Sequence, residues 1–90
     1  MTDGHRRLDL WLWYARVARQ RTDCAALIRK GRLRINGQPT DKPHARVHRE
    51  DVLTIPMPGG VTVRVLRVLA LGERRGNATE ASMLYEEIVE

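Results

Sequence analysis

The sequence predicts an α+β domain in which two N-terminal helices pack on a small twisted antiparallel sheet, followed by a short C-terminal helix. Apolar residues recur at helical spacing over residues 8–17 and 24–28, and from residue 32 they alternate with polar residues as in half-buried strands. Helical spacing returns after residue 77. Ninety residues are enough for one modest core. We therefore expect residues 1–90 to form a single domain, with its core at about 6–70 and a C-terminal loop and helix at about 72–90.

The first helix is predicted from Leu8, after a start, residues 1–6, that we expect to fray. Two apolar stripes run along opposite sides of this helix. One consists of Leu8, Trp11, Leu12 and Ala15, and the other of Leu10, Trp13, Tyr14 and Val17. A helix that is apolar on both sides requires cover on two faces, so we expect the C-terminal helix to cover the second stripe.

The second helix follows the polar connector Arg19-Gln20-Arg21. Thr22 is predicted to cap its N-terminus, and Asp23 places a negative charge in the first turn, where the helix dipole favours it. Its core face consists of Cys24, Leu27 and Ile28. Gly31 is expected to end the helix in the left-handed backbone conformation.

A hairpin is predicted directly after the second helix. Residues 32–35 alternate between polar and apolar, and Asn36-Gly37 is typical of a two-residue type I′ turn. Pro39 and Pro43 predict that the returning segment is irregular or an edge strand.

The second half of the chain contains two more predicted strands and the last helix. Residues 52–55 form one strand and residues 61–68 the other, with a bulge at Leu66, where the alternation shifts. After a charged loop, Asn77 is predicted to start the C-terminal helix, with Glu80 as its acidic partner. The apolar residues at helical spacing in this helix are Ala81, Leu84, Tyr85 and Ile88.

Positive charge is concentrated in the N-terminal part of the chain. Residues 1–50 contain 12 Lys and Arg against 5 Asp and Glu, whereas residues 51–90 contain 4 against 6. Such a lopsided field on a small domain is typical of phosphate binding. Most of the cations are Arg, whose planar guanidinium binds phosphates bidentately and stacks on bases. The cations expected to line the helix–turn–helix and the first strand are Arg7, Arg16, Arg19, Arg21, Lys30, Arg32 and Arg34.

Charge alone does not decide between DNA, RNA and a merely solvated basic face. The second helix is a candidate recognition helix of a DNA-binding helix-turn-helix. Against this, its non-core positions include Ala25 and Ala26, which offer little polar reach toward base edges. Stacking of RNA bases on aromatic strand residues is disfavoured because no predicted strand carries an aromatic residue.

No catalytic or metal-binding constellation stands out. Cys24 is the single cysteine, which excludes an internal disulfide and indicates a buried structural thiol. His44 and His48 have the spacing of zinc ligands on a helix, but Pro43 favours a loop there. Asp9 is interpreted as a local partner of nearby arginines or of backbone N–H groups. We expect no enzymatic activity, metal, cofactor or small-molecule substrate.

No segment approaches the roughly 20 apolar residues of a membrane span, and the N-terminus does not have the pattern of a signal peptide. We therefore expect a soluble, cytoplasmic protein that contacts no membrane, and we expect it to be a monomer.

The order of motifs in the first half of the chain resembles that of the S4-domain family, an RNA-binding fold named after a ribosomal protein. Over roughly residues 6–55 the matching motifs are Arg7-Leu8-Asp9-x-Trp11-Leu12, Arg21-Thr22, Leu27-Ile28-x-x-Gly31-x-Leu33-x-Ile35-Asn36-Gly37 and Asp51-x-Leu53. Two further motifs extend the resemblance nearly end to end, to the small bacterial heat-shock proteins of 15 kilodaltons. They are Trp11-Leu12-Trp13 and Arg74-Arg75-x-x-Ala78-x-Glu80-Ala81-x-x-Leu84-Tyr85-Glu86-Glu87.

The resemblance implies an S4-type αL fold that binds RNA through its two-helix face. It further implies association with rRNA and tRNA on free large ribosomal subunits that still carry a nascent chain, and a stress-response role in rescuing or recycling them. Arg7 and Arg21 are then the first RNA-contact candidates, followed by Arg16, Arg19, Lys30 and Arg32. Two alternatives remain: the targeting module of a partner RNA-modifying enzyme, and a protein-interaction module that uses the face of Leu10, Trp13 and Tyr14.

Overall fold

Three helices and two antiparallel sheets are formed by the residues that the computed structural model describes, 4–57 and 59–89. The helices are α1 (Leu8–Tyr14), α2 (Arg21–Arg29) and α3 (Ala78–Ser82). The strands are β1 (His5–Arg7), β2 (Leu33–Ile35), β3 (Gln38–Thr40), β4 (Arg46–His48), β5 (Val52–Pro56), β6 (Val63–Val68) and β7 (Tyr85–Glu87). One sheet pairs β1 with β4, and the other has the strand order β3-β2-β5-β6-β7. The predicted α+β class is confirmed.

The core joins the two N-terminal helices to one face of the five-stranded sheet. The predicted inner stripe of α1 is confirmed, since Leu8, Trp11 and Leu12 are fully buried. Trp11 donates from Nε1 to the carbonyl of Ala70 at 2.9 Å, so its one polar atom is satisfied inside the core. The buried residues that pack together are Leu8, Trp11, Leu12, Ala15, Cys24, Ile28, Leu33, Val47, Leu53, Ile55, Leu66 and Val68.

Helix α1 ends in a turn that holds a non-glycine residue in left-handed backbone. The N–H of Val17 bonds to the carbonyl of Leu12 at 3.0 Å, and the N–H of Arg16 bonds to the carbonyl of Trp13 at 3.1 Å. This is the Schellman pattern of helix C-termini. Arg16 has a φ of 60°, a conformation that is unfavourable for residues with a side chain. Val17, a member of the second predicted stripe, therefore lies beyond the helix.

Helix α2 begins one residue before the predicted cap. The N–H groups of Asp23 and Cys24 both bond to the carbonyl of Gln20, at 3.1 and 3.2 Å, so Gln20 is the N-cap, without a side-chain cap bond. The prediction that Thr22 caps the helix is wrong, because Thr22 already lies in the first turn. Gly31 follows the C-terminus with a φ of 79°, as predicted.

The Asn36-Gly37 hairpin is confirmed. Its two residues have φ values of 52° and 83°, and the ladder pairs Ile35 with Gln38 on either side of them. Strand β3, which contains Pro39, lies at the edge of the five-stranded sheet, where a missing N–H is tolerated.

A two-stranded ribbon, β1–β4, was not predicted. Its register pairs His5 with His48, Arg6 with Val47 and Arg7 with Arg46. The expectation of a frayed start is wrong for His5 and Arg6, because the ladder to β4 holds them and Val47 anchors that ladder in the core with no exposed surface. The loop predicted after Pro43 likewise gives way to a strand at Arg46.

Strand β6 is continuous, without the predicted bulge at Leu66. It pairs residue by residue with β5, from Val63 opposite Pro56 to Arg67 opposite Val52. Leu66 and Val68 on its core face are fully buried, whereas Val63 is 56% exposed. Val63 and Val65 therefore lie on the outer face of the sheet, and Val61 precedes the strand, which begins at Val63.

The C-terminal helix has the predicted start. The side chain of Asn77 accepts from the N–H of Glu80 at 2.8 Å, and the Glu80 carboxylate accepts from the N–H of Asn77 at 3.0 Å. These two bonds form a capping box.

The same helix ends earlier than predicted, because the chain leaves α3 after Ser82 and continues as β7. Arg64 of β6 donates from Nη2 to Glu87 Oε1 at 2.8 Å, and the N–H of Ile88 bonds to the carbonyl of Val65 at 2.8 Å. These cross-strand bonds favour a strand over the helix that the spacing of Leu84, Tyr85 and Ile88 had predicted.

The second face of α1 is covered by the loop before α3 rather than by a long helix. The Arg75 guanidinium carbon lies 5.4 Å from the centroid of the Trp13 ring, and the Tyr14 hydroxyl donates to the carbonyl of Glu73 at 3.3 Å. Trp13 and Tyr14 are half-buried as a result.

Candidate nucleic-acid interface

Arg7 and Arg21 meet at one buried carboxylate. Arg7 directly precedes α1, Arg21 opens α2, and Asp9 lies in the first turn of α1 with 5% of its surface exposed. Arg7 donates from Nε to Asp9 Oδ1 and from Nη2 to Asp9 Oδ2, both at 3.2 Å. Nε of Arg21 lies 3.5 Å from the same Oδ2. The interpretation of Asp9 as a partner of nearby arginines is confirmed.

The start of α1 is held by backbone contacts from the segment before β4. The N–H groups of Leu8 and Asp9 bond to the carbonyls of Ala45 and Pro43, at 2.8 and 3.0 Å. These belong to the N–H groups that the first turn of a helix leaves without an internal partner. Because backbone carbonyls satisfy them, the Asp9 carboxylate is left for the two arginines.

The Asp9 cluster, Asp9 with Arg7 and Arg21, carries a net positive charge toward solvent. The side chains of Arg7 and Arg21 are 53% and 43% exposed, whereas that of Asp9 is 7% exposed. A guanidinium has five N–H donors, and the hydrogen bonds to Asp9 occupy only Nε and one N–H of Nη2 in Arg7. The remaining donors are suited to phosphate oxygens, which guanidinium groups bind bidentately.

Arg16 and Arg19 lie in the connector between α1 and α2. They differ in whether their guanidinium groups are hydrogen-bonded within the protein. Arg16 donates from Nη1 to the carbonyl of Gly76 at 2.8 Å, so part of its guanidinium holds the C-terminal loop. Arg19 is exposed, and within residues 4–57 and 59–89 its side chain has no hydrogen bond or ion pair. Arg19 therefore has its whole guanidinium available to a ligand.

Lys30 and Arg32 lie together at the exit of α2. Both line an open groove of about 650 Å³ between the end of α2 and the β5–β6 turn. Apolar side chains of Val17, Leu27 and Met57 also line this groove. Lys30 and Arg32 therefore share the lining of one groove, and their role as RNA contacts stays a prediction.

Arg34 lies on the face of the five-stranded sheet that is turned away from the helices. It pairs with Thr54 in the ladder, while the adjacent Ile35 pairs with the fully buried Leu53. Because successive strand residues point to opposite faces, Arg34 points away from the helices. The predicted row of cations therefore does not continue unbroken from the helices to Arg34.

Sequence reasoning missed Arg46, which is exposed and stands directly opposite Arg7 in the ribbon. The polar–apolar–polar order of Arg46-Val47-His48 was the available signal. A strand of three residues is too short for this alternation to stand out.

Two other arginines hold the C-terminal segment against the N-terminal half. Arg6 donates from Nε and Nη2 to the carbonyl of Gly72, at 3.0 and 2.8 Å. Arg75 donates to the carbonyls of Trp13 and Ala18, at 3.2 and 3.4 Å. The guanidinium groups of Arg6 and Arg75 thus contribute to the fold.

Reactive groups are few in the described part of the chain. Cys24 is fully buried, as predicted, and its burial raises the pKa of the thiol to about 11. Among residues 4–57 and 59–89, no three His, Cys, Asp or Glu side chains are grouped so that they could hold a metal ion.

None of the helices in these two ranges is long and apolar enough to cross a membrane.

Comparison with known proteins gives consistent results. The model of the S4 domain family matches residues 6–53, which include the whole Asp9 cluster. Heat shock protein 15 of Escherichia coli K12 is 39% identical over 84 residues, which cover 93% of this chain and 61% of that protein. The heat shock protein 15 homolog of Haemophilus influenzae is 32% identical over 89 residues, which cover 97% of this chain and 64% of that protein. The chain thus spans about three fifths of the length of the curated relatives it matches.

A solved structure has the same fold over nearly the whole chain. It is the trimeric structure of Vibrio cholerae Heat Shock Protein 15, with a TM-score of 0.83 and 29% sequence identity. The superposition covers 94% of this chain and 83% of that one.

Proposed function

The chain belongs to the S4-domain family of RNA-binding proteins, and from this premise we propose that it binds rRNA and tRNA on the large ribosomal subunit. It acts by docking and charge complementarity, without a bond-breaking step. The observation that carries this proposal is the Asp9 cluster, in which one buried carboxylate holds two half-exposed guanidinium groups.

The Asp9 cluster is suited to the RNA backbone because its cations are already positioned. Holding a long side chain in one geometry costs conformational entropy, and that cost is met during folding when a buried partner fixes the side chain. The ion pairs to Asp9 fix Arg7 and Arg21 in this way. Arg19, Lys30 and Arg32 supply further positive charge around the connector and the exit of α2, and we propose them, with Arg16 and Arg34 in weaker roles, as RNA contacts.

Helix α2 favours backbone recognition over the reading of DNA base edges. After Arg21, its exposed side chains include Asp23 and Ala26. A carboxylate repels phosphates, and alanine forms no hydrogen bond to a base. Structured RNA is recognised mostly through shape and backbone contacts, and a cluster of arginines can supply such contacts.

We further propose a specific role for this binding: the protein rescues or recycles stalled large subunits that carry a nascent chain. It is supported by the similarity to heat shock protein 15, which extends over 93% of this chain and includes the C-terminal segment. This role places the protein in the cytoplasm during stress.

We propose further that one copy of the chain binds RNA. The Asp9 cluster is complete within one chain, and no residue from a second copy is required to form it. Light scattering after gel filtration should then give a mass near 10.3 kDa. The solved Vibrio cholerae relative is described as trimeric, so a mass three times larger would overturn this part of the proposal.

Sucrose-gradient sedimentation of the tagged protein in bacterial lysate tests the proposed function. The wild type should travel with free large subunits, and Arg21→Gln should shift the protein toward the top of the gradient. Arg67→Gln is the matched control: it also removes one arginine charge, but from a pair with Glu86 on the five-stranded sheet.

Wild type that stays at the top of the gradient would contradict the ribosomal proposal. Co-purification with an RNA-modifying enzyme would instead favour a targeting module. The alternative of a protein-interaction module requires the face of Leu10, Trp13 and Tyr14. The loop before α3 already covers part of Trp13 and Tyr14 on this face.

A further inference from the structure

The β1–β4 ribbon has one polar face and one buried face. Arg6 and Val47 form the middle pair of its ladder, and Val47 is fully buried. Because side chains alternate along a strand, the pairs on either side point to the opposite face. These are Arg7 with Arg46 and His5 with His48, and the two imidazole rings lie 5.9 Å apart. The polar face therefore consists of two arginines and two histidines.

The two arginines stand directly opposite each other. The carboxylates near them are Asp9, which pairs with Arg7, and Asp51, which lies 3.6 Å from Nδ1 of His48. Within the described residues, 4–57 and 59–89, Arg46 has no ion pair or side-chain hydrogen bond. Asp9 is paired with Arg7 and Arg21. These three arginines and one carboxylate leave a surplus of positive charge around Arg7. Like charges directly opposite in an antiparallel pair are unfavourable, so the arrangement suits an anion bound between them.

Resting on the RNA binding proposed above, we infer that Arg46 is a further RNA-binding residue and that Arg7 and Arg46 hold a single backbone phosphate. Residues directly opposite in an antiparallel ladder have Cβ atoms about 4.5–5.5 Å apart. Two guanidinium groups on such neighbours reach the same phosphate, each with two N–H donors. The Arg7 guanidinium retains N–H donors that its two hydrogen bonds to Asp9 do not use.

This site extends the interface from the two helices onto the ribbon. Asp9 connects the ribbon to α2, because its carboxylate contacts Arg7 from β1 and Arg21 from α2. The ligand is the phosphodiester backbone, which carries no base identity. The contribution of Arg46 to affinity should therefore be the same for RNAs of different sequence.

The test measures binding of the full chain to purified large ribosomal subunits as a function of salt concentration. The slope of log affinity against log salt reports the number of phosphates neutralised. If Arg7 and Arg46 share one phosphate, Arg46→Gln alone weakens binding several-fold with little change of slope, since Arg7 still neutralises that phosphate. The double variant Arg7→Gln/Arg46→Gln then lowers the magnitude of the slope by about 1. Arg67→Gln serves as the charge-matched control and should bind as the wild type does.

Each other outcome has a defined meaning. Unchanged binding by Arg46→Gln, while Arg21→Gln binds weakly, overturns this inference and leaves the proposed function standing. A slope change of about 1 for Arg46→Gln and about 2 for the double variant overturns the shared phosphate, because each arginine then contacts its own. Absence of binding by the wild type overturns the proposed function itself. Thermal unfolding of Arg46→Gln should show an unchanged or raised midpoint, and a lowered midpoint would indicate a structural role instead.

Discussion

Asp9 holds the guanidinium of Arg7 through two hydrogen bonds of 3.2 Å, although the side chain of Asp9 is 7% exposed and that of Arg7 is 53% exposed. A buried carboxylate is tolerated only when it is paired. Its partner here extends from the protein into solvent, so the ion pair both stabilises the fold and fixes the orientation of a surface cation. This one ion pair therefore contributes both to the stability of the fold and to the proposed RNA binding.

Asp9→Asn should separate these two effects. The amide preserves the shape but removes the charge that holds Arg7 and Arg21, so we expect a loss of about 1–3 kcal/mol in the free energy of unfolding. Urea denaturation measures this loss. RNA binding should weaken although the net charge of the protein becomes more positive. Tighter binding would show that Asp9 merely repels phosphates and does not position the arginines.

The contact between Arg75 and Trp13 should stabilise the covered face of α1. Arg75→Ala removes the cation–π contact and the hydrogen bonds to the carbonyls of Trp13 and Ala18. We expect a cost of about 1–2 kcal/mol and a red shift of tryptophan emission. Arg74→Ala is the matched control, because the Arg74 side chain is 71% exposed and pairs with Glu80 at the surface. Equal effects of the two substitutions would argue against the contact.

Arg16 should be a position where glycine is tolerated better than alanine. Both substitutions remove the bond to the carbonyl of Gly76, and they differ in how easily the backbone adopts a φ of 60°. Arg16→Gly should therefore be more stable than Arg16→Ala by about 1 kcal/mol, as measured by urea denaturation. The opposite order would mean that the turn after α1 relaxes out of the left-handed conformation.

The thiol of Cys24 should be protected in the folded protein. Burial raises its pKa from 9.0 to about 11, so the reactive thiolate is scarce near pH 8, and a disulfide reagent should label the thiol only on unfolding. Between pH 9 and 11 the unfolded chain loses this proton and the folded chain retains it, so stability should fall as the pH rises. Cys24→Ala should show a weaker fall in this range. Rapid labelling under native conditions would contradict the burial of Cys24.

The elements that were predicted correctly depend on local signals. The Asn36-Gly37 turn requires positive φ at two successive residues, and few residue pairs other than Asn-Gly supply it. The inner stripe of α1 was visible because Leu8, Trp11 and Leu12 repeat at helical spacing. Both features are determined within a few residues of the chain.

The elements that were missed depend on contacts between distant segments. The β1–β4 ribbon joins strands of three residues across about forty positions, and neither strand is long enough for its alternation to stand out. Leu84, Tyr85 and Ile88 have helical spacing, yet Glu87 pairs with Arg64 across the sheet, a contact that no local pattern predicts. The same distinction applies to the candidate site, of which the local part was predicted and the long-range part was not. The motif around Arg7 indicated it, but only the ladder placed Arg46 beside Arg7.

The salt dependence of binding to purified large ribosomal subunits tests the central claim, that Arg7 and Arg21 are the principal RNA contacts, most directly. With four to six phosphate contacts, the wild type should give a log–log slope of about −3 to −5. Arg21→Gln should weaken binding and reduce the magnitude of the slope by about 1, and Arg67→Gln should leave both unchanged. If Arg21→Gln binds with the affinity and slope of the wild type, Arg21 is not a principal RNA contact and the central claim is wrong.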